Sequence, residues 1–232
     1  MQGSAFSIVK RIGSGAAIAL AAAGGAWADT IDLTSPSLGS IYGGAGSFSV
    51  LSASGVTVTF SALPPGATFT YNVGSGGNDG LGIQHSYEFD EIERPESLRI
   101  SFSAPVLLEG FVLTDLFRES RNGNWYNERG TYSINDGPEV QFTAPNSNLP
   151  FPTTNGVLAV DVNALFVGSA VLTAPGIVNM GSYSQDHDFS VAQVSFAVSP
   201  IPEPQAYAML LAGLGLLGFE ARRRRREKAC MP

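Results

Sequence analysis

The central part of the sequence, residues 29–199, predicts an all-β fold, a two-sheet antiparallel β-sandwich of the jelly-roll type. Apolar and polar residues alternate over short runs, as around Val56, Val58 and Phe60, which is the period of a half-buried strand. Turn-forming pairs such as Asn155-Gly156 separate these runs. The sequence is 44% apolar and only 14% charged, so the chain can bury a substantial core.

Eight to ten strands are expected from this spacing, and no strand-helix alternation indicates a parallel sheet. The stretch 163–170 predicts at most a short helical turn. The alternation is clearest in five runs, residues 56–60, 69–73, 98–102, 158–162 and 194–198.

The N-terminal residues 1–28 have the pattern of a secretory signal peptide. Lys10 and Arg11 precede an apolar run over residues 12–23, and the small residues Ala26 and Ala28 flank Trp27. Small side chains at these two positions fit signal peptidase, so we expect cleavage after Ala28. The alternative is an ordinary buried, alanine-rich helix at the start of the fold.

The C-terminal residues 200–232 combine a proline-rich spacer, an apolar run over residues 206–219 and an arginine cluster. The prolines predict an extended spacer. The run predicts a short transmembrane helix of about 22 Å, less than the roughly 30 Å of a hydrocarbon core. The positive-inside rule places the arginine cluster in the cytoplasm and the domain outside. The cluster consists of Arg222, Arg223, Arg224, Arg225 and Arg226.

The order of these parts resembles the PEP-CTERM sorting signal of Gram-negative bacterial surface proteins. Its elements are Pro202, Glu203 and Pro204, the short Leu- and Gly-rich run and the arginine cluster. The resemblance implies that an exosortase cleaves near Pro202-Glu203-Pro204 and delivers the domain to the cell surface or the extracellular space. Glu220 and the tail beyond Arg226 depart from the pattern. The alternative is a plain single-span anchor that is never processed.

A second resemblance concerns the domain itself. Residues 79–83, 90–93 and 96–102 resemble ectodomains of exosortase-sorted surface proteins, which are similar in architecture to β-sandwich carbohydrate-binding modules. This resemblance implies only the fold.

Charge and cysteine content exclude several function classes. Between Asp29 and Pro200 there are seventeen acidic residues, five arginines and no lysine, a formal charge of −12. Nucleic acid is therefore not expected as a partner, because its binding requires cationic side chains. Cys230 is the only cysteine, so the domain can form neither a disulfide nor a cysteine-based metal site.

Acidic residues give the candidate metal ligands, although no resident cofactor is expected. Asp90, Glu91 and Glu93 could supply oxygen ligands to a structural calcium ion, and Asp188, paired with Asp32, gives a second candidate position. The alternatives are a solvated strand edge for the first group and turn chemistry for the second.

An aromatic and amide-rich loop is the candidate ligand site. Trp125 and Tyr126 could stack on sugar rings, while Arg121 and Asn124 could bind hydroxyl groups. The alternative is that Trp125 is a core or hairpin residue.

No catalytic motif is found, and the chain is not expected to be an enzyme. The domain has two histidines, His85 and His187, and neither a Gly-x-Ser-x-Gly nor a His-Glu-x-x-His motif. The sequence favours a non-enzymatic surface or matrix protein associated with extracellular polysaccharide or the envelope. A glycan-binding module with a site near Trp125 is the alternative, and a secreted hydrolase is the third hypothesis.

Overall fold

The computed structural model describes residues 28–72, 79–85, 91–121, 123–149, 156–175, 178–179, 184–185, 187–198, 211–219 and 222. Within them the chain forms an antiparallel β domain with one short helix, followed by a separate helical segment, which we name α2 (211–219). The predicted all-β class is confirmed. The predicted boundaries at residues 28/29 and 199/200 stay predictions.

The strands follow the predicted alternation because their buried and exposed residues alternate, as in the fourth element of the chain, Thr57–Leu63. In chain order the elements are β1 (Ala28–Asp32), α1 (Pro36–Tyr42), β2 (Ser47–Leu51), β3 (Thr57–Leu63), β4 (Thr68–Asn72), β5 (Gly80–Gln84), β6 (Ser97–Thr114), β7 (Arg118–Arg121), β8 (Asn124–Asn127), β9 (Arg129–Ile134), β10 (Val140–Thr143), β11 (Leu158–Thr173), β12 (Val178–Asn179), β13 (Ser184–Gln185) and β14 (Ser190–Val198).

Ten of these strands form one curled antiparallel sheet in the order β10-β9-β11-β6-β14-β5-β4, with β1 beside β14, β3 beside β6 and β2 beside β3. The pairs β7–β8 and β12–β13 form separate two-stranded sheets. The large sheet is continuous because β6 is long. Its residues 97–102 pair with β3 and its residues 106–114 with β14, while β11 pairs along its other side. The expected division into two sheets is therefore not seen in the hydrogen bonding.

The stretch 163–170 is strand rather than helical turn. It belongs to β11, whose register against β6 shifts three times between Asp161 and Ser169. Asn163 and Phe166 have positive φ angles of 50° and 57°. Such bulges disturb the two-residue period, which is why the sequence did not predict a strand there.

The core is a single apolar cluster beneath the curled sheet. At one end, α1 places the Tyr42 ring against Phe48 and Phe69, with the ring centroids of Tyr42 and Phe48 5.1 Å apart. Phe48 in turn stacks on Phe60. The Tyr42 hydroxyl donates a hydrogen bond to the Leu33 carbonyl at 2.9 Å. Burial raises the pKa of Tyr42, so the hydroxyl stays a donor.

The first and last strands of the domain lie side by side. β1 pairs antiparallel with β14, so Ala28 is opposite Ala197 and Asp32 is opposite Gln193. The Asp29 carboxylate accepts a hydrogen bond from the Ser54 amide at 3.0 Å, which fixes the start of β1 to the β2–β3 turn. Both ends of the domain therefore leave it at the same place.

The helix α2 is apolar and most of its side chains are exposed, including Leu211, Leu214 and Phe219. Within the described residues, no helix combines the length and the apolar character needed to cross a membrane. Residues 206–210, which the sequence predicts as the start of this helix, lie outside the described residues.

Candidate functional site

The predicted ligand loop is a β-hairpin. β7 and β8 pair in register from Arg118 opposite Asn127 to Arg121 opposite Asn124, so a two-residue turn joins them. Gly123 in this turn has a φ of +79°, a conformation that glycine adopts readily. The Asn-Gly pair between the strands is therefore the sequence signal for this hairpin.

Trp125 lies on the solvent side of the hairpin, with 55% of its surface exposed. The guanidinium carbon of Arg118 lies 4.9 Å from the centroid of the indole, a cation–π distance. Ser120 is opposite Trp125 in the pairing, and Asn124 beside it is exposed. An exposed indole with polar neighbours is the surface that a sugar ring can stack upon.

Tyr126 points to the other side of the hairpin and is buried. Its hydroxyl donates a hydrogen bond to the Glu119 carboxylate at 2.6 Å, and its ring meets the His187 ring edge-on, with centroids 5.9 Å apart. Consecutive residues of a strand face opposite ways, so Tyr126 and Trp125 do not form one surface. The side chain of Arg121 lies outside the described residues, although its backbone pairs with that of Asn124.

His187, one of the two histidines of the domain, packs beneath this hairpin with 1% of its surface exposed. Neither ring nitrogen has a hydrogen-bond partner among the described residues. Burial, together with the nearby Arg129 charge, lowers the pKa of His187 to about 4, so the ring is neutral at pH 7. The sequence around it gave no sign that it would be buried.

Two further polar side chains, which the sequence analysis missed, hold the base of the hairpin. Asn148 donates hydrogen bonds to the carbonyls of Leu116 and Val157 at 3.0 and 2.9 Å. The Glu128 carboxylate accepts one from the Phe117 amide at 2.6 Å. Both side chains are buried, and they satisfy backbone groups that regular pairing leaves unpaired.

The candidate metal ligands are only partly described. Asp90 lies outside the described residues, while Glu93 is buried and its amide donates to Glu96 at 3.3 Å. An isolated bridge between Ile92 and Phe189 brings the chain near Glu91 and Glu93 alongside the chain at Asp188. Among the residues that the structure describes, no three His, Cys, Asp or Glu side chains group as a metal site would require.

Asp32, the partner considered for Asp188, is engaged locally. Its carboxylate accepts hydrogen bonds from the Thr34 amide at 3.0 Å and the Thr34 hydroxyl at 2.6 Å. This is the turn chemistry that the sequence analysis gave as the alternative.

The sorting residues lie mostly outside the described part of the chain, namely Ala26, Pro202, Glu203, Pro204 and residues 223–226. Ala28 is the first residue of β1, and Arg222 is helical and exposed.

Comparison with known proteins gives one match. Residues 200–226 match the family model of the PEP-CTERM protein-sorting motif. No curated protein and no solved structure matches the chain. The chain therefore carries a PEP-CTERM protein-sorting motif, which marks it for export and exosortase-mediated sorting to the cell surface or the extracellular space.

Proposed function

We propose that the chain is a precursor whose cargo is its curled, jelly-roll-type β domain. Signal peptidase cleaves after Ala28, and exosortase cleaves near Pro202-Glu203-Pro204 and removes a transient membrane anchor. The released domain then has a non-enzymatic role at the cell surface, in association with extracellular polysaccharide. The match of residues 200–226 to the sorting motif carries the sorting part of this proposal.

The pairing of β1 with β14 supports the sorting route. Ala28 and Ala197 are register partners in adjacent strands, which in a sheet lie about 5 Å apart. The two segments that this route directs to the membrane therefore join the domain at one place. The end freed by signal peptidase and the end still held by the C-terminal segment therefore lie on the same side of the domain.

Intact mass of the mature protein tests the proposal. In cells with the exosortase we expect both ends to be missing. In cells without it we expect only the signal peptide to be missing. A matched variant, Glu203→Ala in exosortase-positive cells, should retain the C-terminal segment. The same mass in cells with and without the exosortase, with Glu203→Ala differing only by the mass of its own substitution, would contradict the sorting route.

A sugar site on the hairpin is the second candidate function. It is supported by the exposure of Trp125 and by the Arg118 guanidinium against its ring. The guanidinium holds the indole in one orientation, and a pyranose ring can stack upon the remaining exposed surface while polar neighbours bind its hydroxyl groups. Tyr126 supports the hairpin from beneath instead of contacting the sugar.

Pull-down with exopolysaccharide from the producing strain, followed by a glycan array, tests this site. Trp125→Ala should weaken binding at least about fivefold, since a stacking contact is worth about 1 kcal/mol. Ile41→Ala is the control, because Ile41 is 64% exposed but lies on α1. Equal binding by the two variants would exclude the hairpin. Turnover of the polysaccharide would instead favour a hydrolase.

A further inference from the structure

The described residues include an exposed apolar surface beside the two ends of the domain. We call it the exit surface and define it by residues 104–105 of β6, Leu165 and Phe166 of β11, and Val198, the last residue of β14. Leu165 and Phe166 are 58% and 59% exposed, and Val198 is 38% exposed. Ala104 and Pro105 are exposed as well.

The strand register places the backbones of these residues close to one another, near the end of β14. Val106 of β6 pairs with Val167 of β11 on one side and with Val198 of β14 on the other. Two steps of about 4.8 Å across the sheet therefore separate Val167 from Val198. Since β1 begins opposite Ala197, the exit surface lies beside both points where the chain leaves the domain.

The fold holds Phe166 outwards through specific contacts. The Asn135 side chain donates a hydrogen bond to the Phe166 carbonyl at 3.1 Å and accepts others from the amides of Gly168 and Ser169 at 2.8 and 3.1 Å. Phe166 has a φ of 57°, which is unfavourable for a bulky residue. Because the ring is exposed, its burial adds little to the stability of the fold and does not offset this unfavourable backbone conformation. Stability of the fold alone therefore does not explain a phenylalanine at this position.

The exit surface also lies in the uncharged part of an acidic domain. Residues 47–72, 100–108, 162–175 and 189–198 contain no charged side chain. The charges near the bulge are Arg99 and Asp136, which pair with each other at 3.3 Å, and the carboxylates of Asp161 and Glu109, which flank the first register shift of β11 against β6. The Asp29 carboxylate, at the start of β1, is buried and hydrogen-bonded. The residues of the exit surface therefore carry no charge themselves, and the carboxylates of Asp161 and Glu109 lie further along β11 and β6.

We propose that the exit surface rests on the lipid bilayer while the chain is still attached to the membrane, a step that depends on the proposed sorting route. The twelve residues 199–210 between Val198 and Leu211 limit the distance from the domain to α2 to at most about 45 Å. Phenylalanine and leucine side chains are suited to the interface between headgroups and acyl chains. Contact there holds the segment after Val198 close to the membrane, where a membrane-embedded exosortase acts.

Lipid quenching of single fluorophores tests this in the full chain reconstituted in vesicles. Cys230→Ser removes the only native cysteine. Phe166→Cys, Val157→Cys and Leu214→Cys are then labelled in turn with bimane, with nitroxide-bearing lipids as quencher. Val157 is the matched control because it is 49% exposed and directly precedes β11, next to Leu158. Leu158 pairs with Leu113, seven residues from Val106 along β6, or about 23 Å.

We expect at least about threefold stronger quenching at position 166 than at position 157, together with strong quenching at position 214 in α2. Equal, weak quenching at 166 and 157 with strong quenching at 214 would overturn the inference and leave the sorting route intact. Weak quenching at 214 would overturn both. Protection of position 166 from aqueous iodide without lipid quenching would show that a second copy or another segment of the chain covers the surface, which also overturns the inference.

Discussion

Trp125 and Phe166 are exposed to nearly the same extent, at 55% and 59%, yet their surroundings differ in every other respect. Trp125 lies on a regular hairpin and carries a guanidinium against its ring. Phe166 lies on a bulge with positive φ, beside other apolar residues and a closed ion pair. Exposure alone therefore does not identify a partner. The polar setting suits a polyhydroxylated ligand and the apolar setting suits lipid.

The largest expected effect is a loss of stability at low pH, which we expect to affect the hairpin and not the bulge. His187 is buried as the neutral ring with its pKa lowered from 6.5 to about 4. The unfolded chain binds the proton more tightly than the folded chain does. The free energy of unfolding is therefore highest above pH 6.5 and decreases as the pH falls towards 4. We expect a loss of about 2–3 kcal/mol by pH 4.5, measured by denaturant unfolding.

His187→Phe is the control, because its stability should change less over the same range. At pH 5 the protection of backbone amides from hydrogen exchange, corrected for the intrinsic exchange rate, should fall in residues 118–127, above His187, and not in residues 163–169. A constant stability difference between the two proteins from pH 7 to pH 4.5 would contradict the burial of the neutral ring.

Asn135→Ala should disrupt the bulge and leave the hairpin intact. It removes three hydrogen bonds to β11, which together are worth about 2 kcal/mol at an exposed site. The measurement is thermal unfolding, combined with lipid quenching at position 166. Asn135 itself has a φ of 51°, so Asn135→Gly should lose about 1 kcal/mol less. An equal loss of stability in Asn135→Ala and Asn135→Gly would argue against backbone strain at this position.

Tyr126→Phe should weaken the hairpin and not the bulge. The variant removes the hydroxyl that donates to Glu119 and should lower the free energy of unfolding by about 1 kcal/mol. Sugar binding through Trp125 should persist, since the two residues face opposite sides. Complete loss of sugar binding with unchanged stability would instead place Tyr126 in the ligand site.

The smallest expected effect is a gain in stability. Asparagine tolerates positive φ better than phenylalanine does, so Phe166→Asn should raise the free energy of unfolding by about 0.5 kcal/mol, as measured by chemical denaturation. The same variant should weaken membrane contact of the exit surface. Leu165→Ser, which leaves Phe166 in place, should show no such gain. A clear loss of stability in Phe166→Asn would mean that the ring supports the fold.

The sequence predicted those features that depend on residues close together in the chain. The alternation of apolar and polar residues identified β3 and β14. The sorting motif could be recognised because its parts are contiguous over residues 200–226. The bulges of β11 were missed because each shifts the two-residue period on which the strand prediction rests.

The candidate site was predicted less well because it depends on which face each residue occupies. Alternation within β8 would have separated Trp125 from Tyr126 once the hairpin register was known. The burial of His187 and Asn148 depends on elements far apart in sequence, such as the contact between β8 and the segment before β14. Local patterns carry no signal for such contacts.

The pairing of β1 with β14 also orders events in time. The predicted scissile bond, between Ala28 and Asp29, lies within a strand whose partner is the last strand of the domain to be synthesised. A protease that needs an extended, unpaired substrate has access to this bond until β14 emerges from the translocation channel. We therefore expect leader removal to come first, and the newly freed amino terminus to close the sheet afterwards as its final step.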